Sequence, residues 1–169
     1  GKTSLQKVVM YLGSPRVRDG IRQREKFNEA DLVVTSYEVL ASDLEHFRSI
    51  RWNYQVLDEG HVIKNPKTRA AKAVRCISAS HRLLLSGTPI QNTVLELWAI
   101  FDFLMPGFLG SEQSFKQTYG KPILASRDAK CTDKQRENGM AAMEALHRQV
   151  LPFVLRRLKD DVLSELPPK

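Results

Sequence analysis

The stretch Tyr54-Gln55-Val56-Leu57-Asp58-Glu59-Gly60-His61 constrains this chain more than any other. A short apolar run ends abruptly in two adjacent carboxylates, a glycine and a histidine. Read as a buried strand, Tyr54–Leu57 delivers Asp58 and Glu59 at its C-terminal end, where open α/β sheets keep their ligand chemistry. Neighbouring carboxylates there can divide the work of phosphoryl transfer. One holds Mg2+, directly or through water, and the other orients an attacking water. A strand running into an acidic turn is the plain alternative, and these eight residues alone leave both open.

The flanking sequence supplies the fold class. Val8–Leu12 reads as a strand closed by the turn Gly13-Ser14-Pro15, and Asp19–Asn28 as a charged surface helix. Leu32–Ser36 is a β-branched strand ending in hydroxyls. Tyr37–Phe47 carries Val39, Leu40, Leu44 and Phe47 at helical spacing. After the central strand, Asn65-Pro66 opens a helix, Leu83–Ser86 forms a fourth strand, and Gly87-Thr88-Pro89 is its turn. Thr93 can cap a helix running to Leu104, with Glu96 in the capping-box position. Strands alternating with helices indicate α/β architecture with a parallel, doubly wound sheet.

The pattern changes after Met105-Pro106-Gly107. Helical segments dominate at Ser111–Tyr119, Gln135–Val150 and Lys159–Leu166, and Gly120–Thr132 reads as a polar loop. The expected organisation is therefore a sheet domain over 1–104, a helical appendage over 105–158 and the start of a linker over 159–169. Gly1-Lys2-Thr3 has the residues that close a phosphate-binding P-loop, but a P-loop opens a helix of several turns. Here a strand follows within a few residues, so Lys2 is not taken as a phosphate ligand.

Charge points to polyanions without naming one. The 169 residues carry a formal charge of +7, with Lys64, Lys67, Arg69, Lys72, Arg75 and Arg82 inside a window free of acids. Arg69, Lys72 and Arg75 make one helical stripe, which suits a DNA backbone and a solvated helix face equally well. Cys76 and Cys131 lack metal-ligand spacing, so reduced intracellular thiols are expected. No apolar run is long enough to span a membrane.

Taken together, Asp58-Glu59-Gly60-His61 and Ser86-Gly87-Thr88-Pro89, each after a strand, resemble motifs II and III of the helicase-like ATPases, and Thr35-Ser36-Tyr37 resembles motif Ib. Lys64-Asn65, Gln91-Asn92 and Leu155–Val162 leading to Leu166-Pro167-Pro168-Lys169 narrow the resemblance to the Swi/Snf class of DNA translocases. Asp58–Asn65, Phe103–Gly110, Tyr119–Asp128 and Ala145–Pro152, each read whole, are similar to the Mot/BTAF subfamily, ATPases that strip TATA-binding protein from DNA.

The resemblance implies a RecA-like first motor lobe with a helical protrusion, using ATP and Mg2+ and tracking double-stranded DNA in the nucleus. It implies that Asp58 associates with Mg2+, Glu59 polarises the attacking water, and His61 couples the nucleotide state to Ser86, Gly87 and Thr88. Thr35 and Ser36 would lie near DNA phosphates, with charge or polar contacts from Lys64 and Asn65. Arg156 and Arg157 could contact DNA or brace the lobe junction. Contacts to TATA-binding protein are expected from regions outside this chain. So are the phosphate cradle and the arginine fingers, and the isolated chain is expected not to hydrolyse ATP. The competing readings are a remodelling or recombination translocase of the same class, and a non-catalytic module that holds DNA or protein.

Overall fold

The computed structural model describes residues 6–87 and 94–155. It divides into two compact units, Gly1–Leu109 and Gly110–Lys169. The first unit contains the strands β1 (Val8–Met10), β2 (Leu32–Val34), β3 (Trp52–Leu57) and β4 (Ala79–Leu84). Each pairs parallel to its sequence neighbour, β1 with β2 and β3 with β4, as a chain of strand–helix–strand crossovers requires. Helices α1 (Pro15–Arg24), α2 (Tyr37–Ser42), α3 (Leu44–Arg48), α4 (Arg69–Arg75) and α5 (Val94–Leu104) complete it.

One hydrophobic cluster serves both strand pairs. Val9, Tyr11, Leu57, Ile63, Leu40, Phe47, Val74 and Phe103 all belong to it. The alternation of side chains along a strand turns Val9 and Tyr11 inward, and likewise Gln55 and Leu57. The opposite face carries Val8, Met10, Tyr54, Val56, Leu83 and Leu85, all exposed. Among the described residues, then, the sheets are covered on one face only. Tyr54 stacks on His81 across the bare face of the β3–β4 pair.

Four differences from the sequence expectations have identifiable causes. The fourth strand begins at Ala79 instead of Leu83, because Trp52 and Tyr54 impose a register on Ala79 and His81 that the polar sequence Ser80-His81-Arg82 does not advertise. The helix expected over Tyr37–Phe47 breaks at Asp43, whose φ and ψ of −113° and 29° leave the helical region. Its carboxylate is drawn into a partly buried cluster, accepting from Arg18 Nε at 2.7 Å, Arg22 Nη1 at 2.9 Å and the Tyr11 hydroxyl at 2.5 Å. Asn65-Pro66 does not start α4. It forms a turn, with Asn65 Oδ1 accepting from Lys67 N–H at 3.0 Å, and Thr68 caps the helix by accepting from Ala71 N–H.

The fourth difference lies in the second unit, which is helical: α6 (Glu112–Phe115), a π-helical turn at Lys116–Gly120, α7 (Lys121–Ser126) and α8 (Asp133–Val150). Lys121–Ser126 was expected within a loop, yet Pro122 occupies the first turn of α7, where its missing N–H costs nothing. Thr132 and Gln135 cap α8 reciprocally. Phe115, Ile123, Leu146 and Val150 are buried within this unit.

Candidate active site at the strand ends

Because β3 and β4 run parallel with Leu57 opposite Leu84, their C-terminal ends lie side by side, and Asp58-Glu59 is brought beside Ser86-Gly87. The ladder continues past the strands. Leu85 N–H donates to Leu57 O at 2.7 Å, and Gly60 N–H donates to Leu85 O at 2.8 Å. From the other side, the Tyr37 hydroxyl donates to the Asp58 carbonyl at 2.6 Å and ties in the end of β2. Thr88 lies outside the described residues, as do Lys2, Gln91-Asn92, Thr93, Arg156 and Arg157.

The turn after β3 is unusual. Glu59 sits at φ 52° and ψ 51°, the one non-glycine residue with positive φ among those described. For an L-residue that conformation costs about 1–2 kcal/mol, so the surroundings must impose it. They do so at several points. Asp58 Oδ1 accepts from Glu59 N–H at 2.9 Å, so the peptide between the two carboxylates is held at its carbonyl by Tyr37 and at its N–H by Asp58 itself. The next residue, Gly60, is buried and begins a 3-10 turn through Ile63. A Cβ at Gly60 would lie 2.3 Å from Leu84 Cδ2, so only glycine lets this turn close onto β4.

His61 Nδ1 lies 3.2 Å from Glu59 Oε2, both side chains being about half exposed, and the two pair when Nδ1 carries its proton. Lys64 Nζ meets Glu96 Oε2 at 3.2 Å, with side chains 18% and 22% exposed, and so ties the turn after β3 to the first turn of α5. Ser36 Oγ caps α2, accepting from Val39 N–H at 3.3 Å. Thr35 Oγ1 is buried and makes no hydrogen bond. Burial first, and then the charges of Asp58 and Glu59, push the Tyr37 phenol up to about 12, so its hydroxyl remains a donor.

The basic window is mostly committed within the first unit. Arg69 Nη2 donates to Ala41 O, Arg75 Nη2 to Ala99 O, and Arg82 Nη1 to Phe103 O at the end of α5. Arg75 also approaches Asp102 at 3.8 Å. Burial pushes the Arg75 and Arg82 guanidinium groups below their ordinary value. Arg69 and Arg75 of the stripe are thus struts, Arg69 an exposed one, while Lys72 on α4 and Lys67 in the turn before it are exposed cations.

Among the described residues no group of three or more His, Cys, Asp or Glu side chains converges as a metal cage. A lone carboxylate such as Asp58 suits Mg2+, which keeps waters and takes phosphate oxygens alongside one or two carboxylates. Two open grooves in the second unit, one including Lys121 and Asn138, the other Met140 and His147, hold none of the sequence candidates. No described helix is long and apolar enough to cross a membrane.

A family model described as SNF2-related domain matches residues 2–169. The chain belongs to the SNF2-related domain family. Within it, the chain falls in the Mot/BTAF branch of the Swi/Snf ATPases. It is 58% identical over 163 residues to TATA-binding protein-associated factor MOT1 of Saccharomyces cerevisiae, covering 96% of this chain and 9% of that protein. It is also 58% identical over 159 residues to TATA-binding protein-associated factor 172 of Homo sapiens, covering 94% and 8%. With TATA-binding protein-associated factor BTAF1 of Arabidopsis thaliana the identity is 54% over 166 residues, covering 98% and 8%. The chain therefore spans under a tenth of the length of these relatives. Among solved structures, the Sulfolobus solfataricus SWI2/SNF2 ATPase core in complex with dsDNA matches with a TM-score of 0.76 and 33% identity, over 97% of this chain and 31% of that one. As an SNF2-related domain with this likeness, the first unit is α/β and RecA-like.

Gly60 and Tyr37 join the site in the folded chain. Gly60 had a visible signal, a glycine directly after paired carboxylates. Tyr37 had none beyond its place after Thr35-Ser36, because its partner is a backbone carbonyl 21 residues away.

Proposed function

We propose that this chain is the part of an ATP-dependent double-stranded DNA translocase that handles metal and water at the ATPase site. The observation that carries the reading is the Asp58-Glu59 pair, presented at the end of β3 with Glu59 held in the left-handed region beside the end of β4. Asp58 would hold Mg2+ through its carboxylate, with Oδ1 also fixing the Glu59 N–H. Bound there, Mg2+ would neutralise charge on the phosphate oxygens of ATP. Glu59 would accept a proton from the attacking water at its carboxylate and orient that water toward the phosphate. His61, 3.2 Å from Glu59, would set which rotamer that carboxylate adopts, and Ser86, Gly87 and Thr88 would respond to it across the parallel strands.

On the DNA side, Ser36 and Asn65 would meet phosphates at the strand ends. Thr35 would join them by turning its buried hydroxyl outward, and Lys64 by exchanging Glu96 for a phosphate. The second unit would be the helical protrusion of the motor lobe. The finer biological reading, removal of TATA-binding protein from DNA in the nucleus, is supported by the relatives, which are named as TATA-binding protein-associated factors. Residues outside this chain would make the contacts to that protein.

The test is the Glu59→Gln variant of the full-length protein. It is expected to keep nucleotide and DNA binding while losing DNA-stimulated ATP hydrolysis by about 100-fold or more. ATP-driven release of TATA-binding protein from a DNA probe should be lost in parallel. Wild-type turnover in that variant would remove Glu59 from the chemistry, and turnover without any release would restrict the reading to a translocase of another substrate.

A further inference from the structure

We propose that Tyr37 is a positioning residue for ATP hydrolysis: its hydroxyl sets the orientation of the Asp58–Glu59 peptide and passes movement of the DNA-side strand end to the hydrolytic carboxylate. This rests on the assignment of Glu59 as the water-handling residue.

The geometry has three parts. Tyr37 is the first residue of α2, directly after Ser36, whose side chain caps that helix. The Tyr37 hydroxyl donates to the Asp58 carbonyl at 2.6 Å, a bond between the end of β2 and the end of β3. That carbonyl belongs to the peptide whose N–H is Glu59's own, and Glu59 is strained at φ 52°.

A left-handed residue changes region most simply by rotation of the adjoining peptide plane, which turns the preceding carbonyl and the residue's own N–H together and resets its φ. Pinning the Asp58 carbonyl therefore pins φ of Glu59 and the strained turn from which its carboxylate projects. One neutral hydrogen bond and the strain of one left-handed residue are of similar size, so adding or removing the Tyr37 hydroxyl is enough to rebalance the turn. Thr35, just before the cap, holds a buried hydroxyl with no partner. A strand end that rearranges on binding a phosphate would satisfy Thr35, shift the start of α2 and carry the Tyr37 hydroxyl with it. DNA binding and water activation would then share one mechanical element.

The experiment uses the full-length protein with Tyr37→Phe, which removes one oxygen and keeps the ring. The expected result is a fall of about tenfold in kcat for DNA-stimulated ATP hydrolysis, with the nucleotide KM and the melting temperature close to wild type. Tyr37→Met, which fills the space without a donor, should show the same loss and serves if the phenylalanine protein folds poorly. Combining Tyr37→Phe with Glu59→Asp should cost little beyond Glu59→Asp alone, because both act through one carboxylate. A wild-type kcat in folded Phe and Met variants overturns the proposal, as does a loss that lies entirely in KM or full additivity with Glu59→Asp. If Glu59→Gln itself hydrolyses ATP normally, the reading of the site has failed. If Glu59→Gln is dead and the Tyr37 variants are normal, only the role of Tyr37 has failed.

Discussion

Gly60 lies so close to Leu84 that a Cβ on the glycine would sit 2.3 Å from one methyl and 2.4 Å from the γ-carbon of the leucine. The turn carrying the paired carboxylates is thereby clamped against β4. Gly60→Ala is expected to cost about 1–3 kcal/mol of stability, by overpacking. It should also abolish turnover in the full-length protein, since Glu59 is displaced with the turn. Chemical denaturation and an ATPase assay check the two halves. Restored folding in Gly60→Ala combined with Leu84→Ala would locate the fault at this contact.

Glu59 itself trades stability for function. Glu59→Gly relieves a left-handed L-residue, which is worth about 1 kcal/mol. The variant should unfold at equal or higher denaturant concentration than wild type while hydrolysing no ATP. A clear loss of stability would show that the Glu59 side chain holds the turn together.

Asp43 provides a pH test on a carboxylate that makes its ion pairs with Arg18 and Arg22. The hydrogen bond from Arg18, with help from Tyr11 and the charge of Arg22, lowers its pKa from 3.8 to about 2 despite burial. A carboxylate depressed in the folded state contributes stability that is complete above its unfolded pKa and is lost as pH falls through the folded one. That contribution, on the order of 2 kcal/mol by linkage, should therefore fade between about pH 4 and pH 2. Asp43→Asn should flatten that part of the profile and destabilise at neutral pH, leaving Arg18 buried without its anion. Urea midpoints measured across this range check it.

In the second unit, a Cβ at Gly139 of α8 would fall 2.2 Å from the Ser126 side chain and 2.8 Å from Pro122 O. Gly139→Ala should force α7 and α8 apart at a cost of about 1–3 kcal/mol. Hydrogen exchange is expected to quicken over Lys121–Ser126 and Asp133–Val150. Unchanged exchange there would mean that the helices tolerate the wider spacing.

The bare face of β3 and β4 makes a fifth measurable claim. Tyr54, Val56 and Leu83 are 60%, 52% and 48% exposed on adjacent strands. The purified 169-residue chain should associate in a concentration-dependent way, and Val56→Lys with Leu83→Glu should shift it toward monomer in light scattering. A wild-type chain that stays monomeric at high concentration would contradict this.

What was legible in advance was whatever depends on neighbours in sequence. Apolar runs closed by hydroxyls, glycines or carboxylates located β1 to β3, and the motif pattern identified the family and the position of Asp58-Glu59. Less legible was anything decided by a partner far along the chain. The polar start of β4 is strand only because β3 offers it a register. The Tyr37–Phe47 helix has unbroken periodicity and still breaks, because three side chains from elsewhere converge on Asp43. The cationic stripe on α4 looked like a surface, and Arg69 and Arg75 turned out to serve backbone carbonyls of Ala41 and Ala99.

The same division runs through the site. Local pattern alone is enough to end a strand in two carboxylates and to follow them with a glycine and a histidine. That Glu59 is left-handed, that Gly60 has no room for a side chain and that Tyr37 holds the peptide between the acids follow from contacts with distant segments. Backbone strain and close packing arise when separate strands are pressed together at fixed register, and no single segment contains that information.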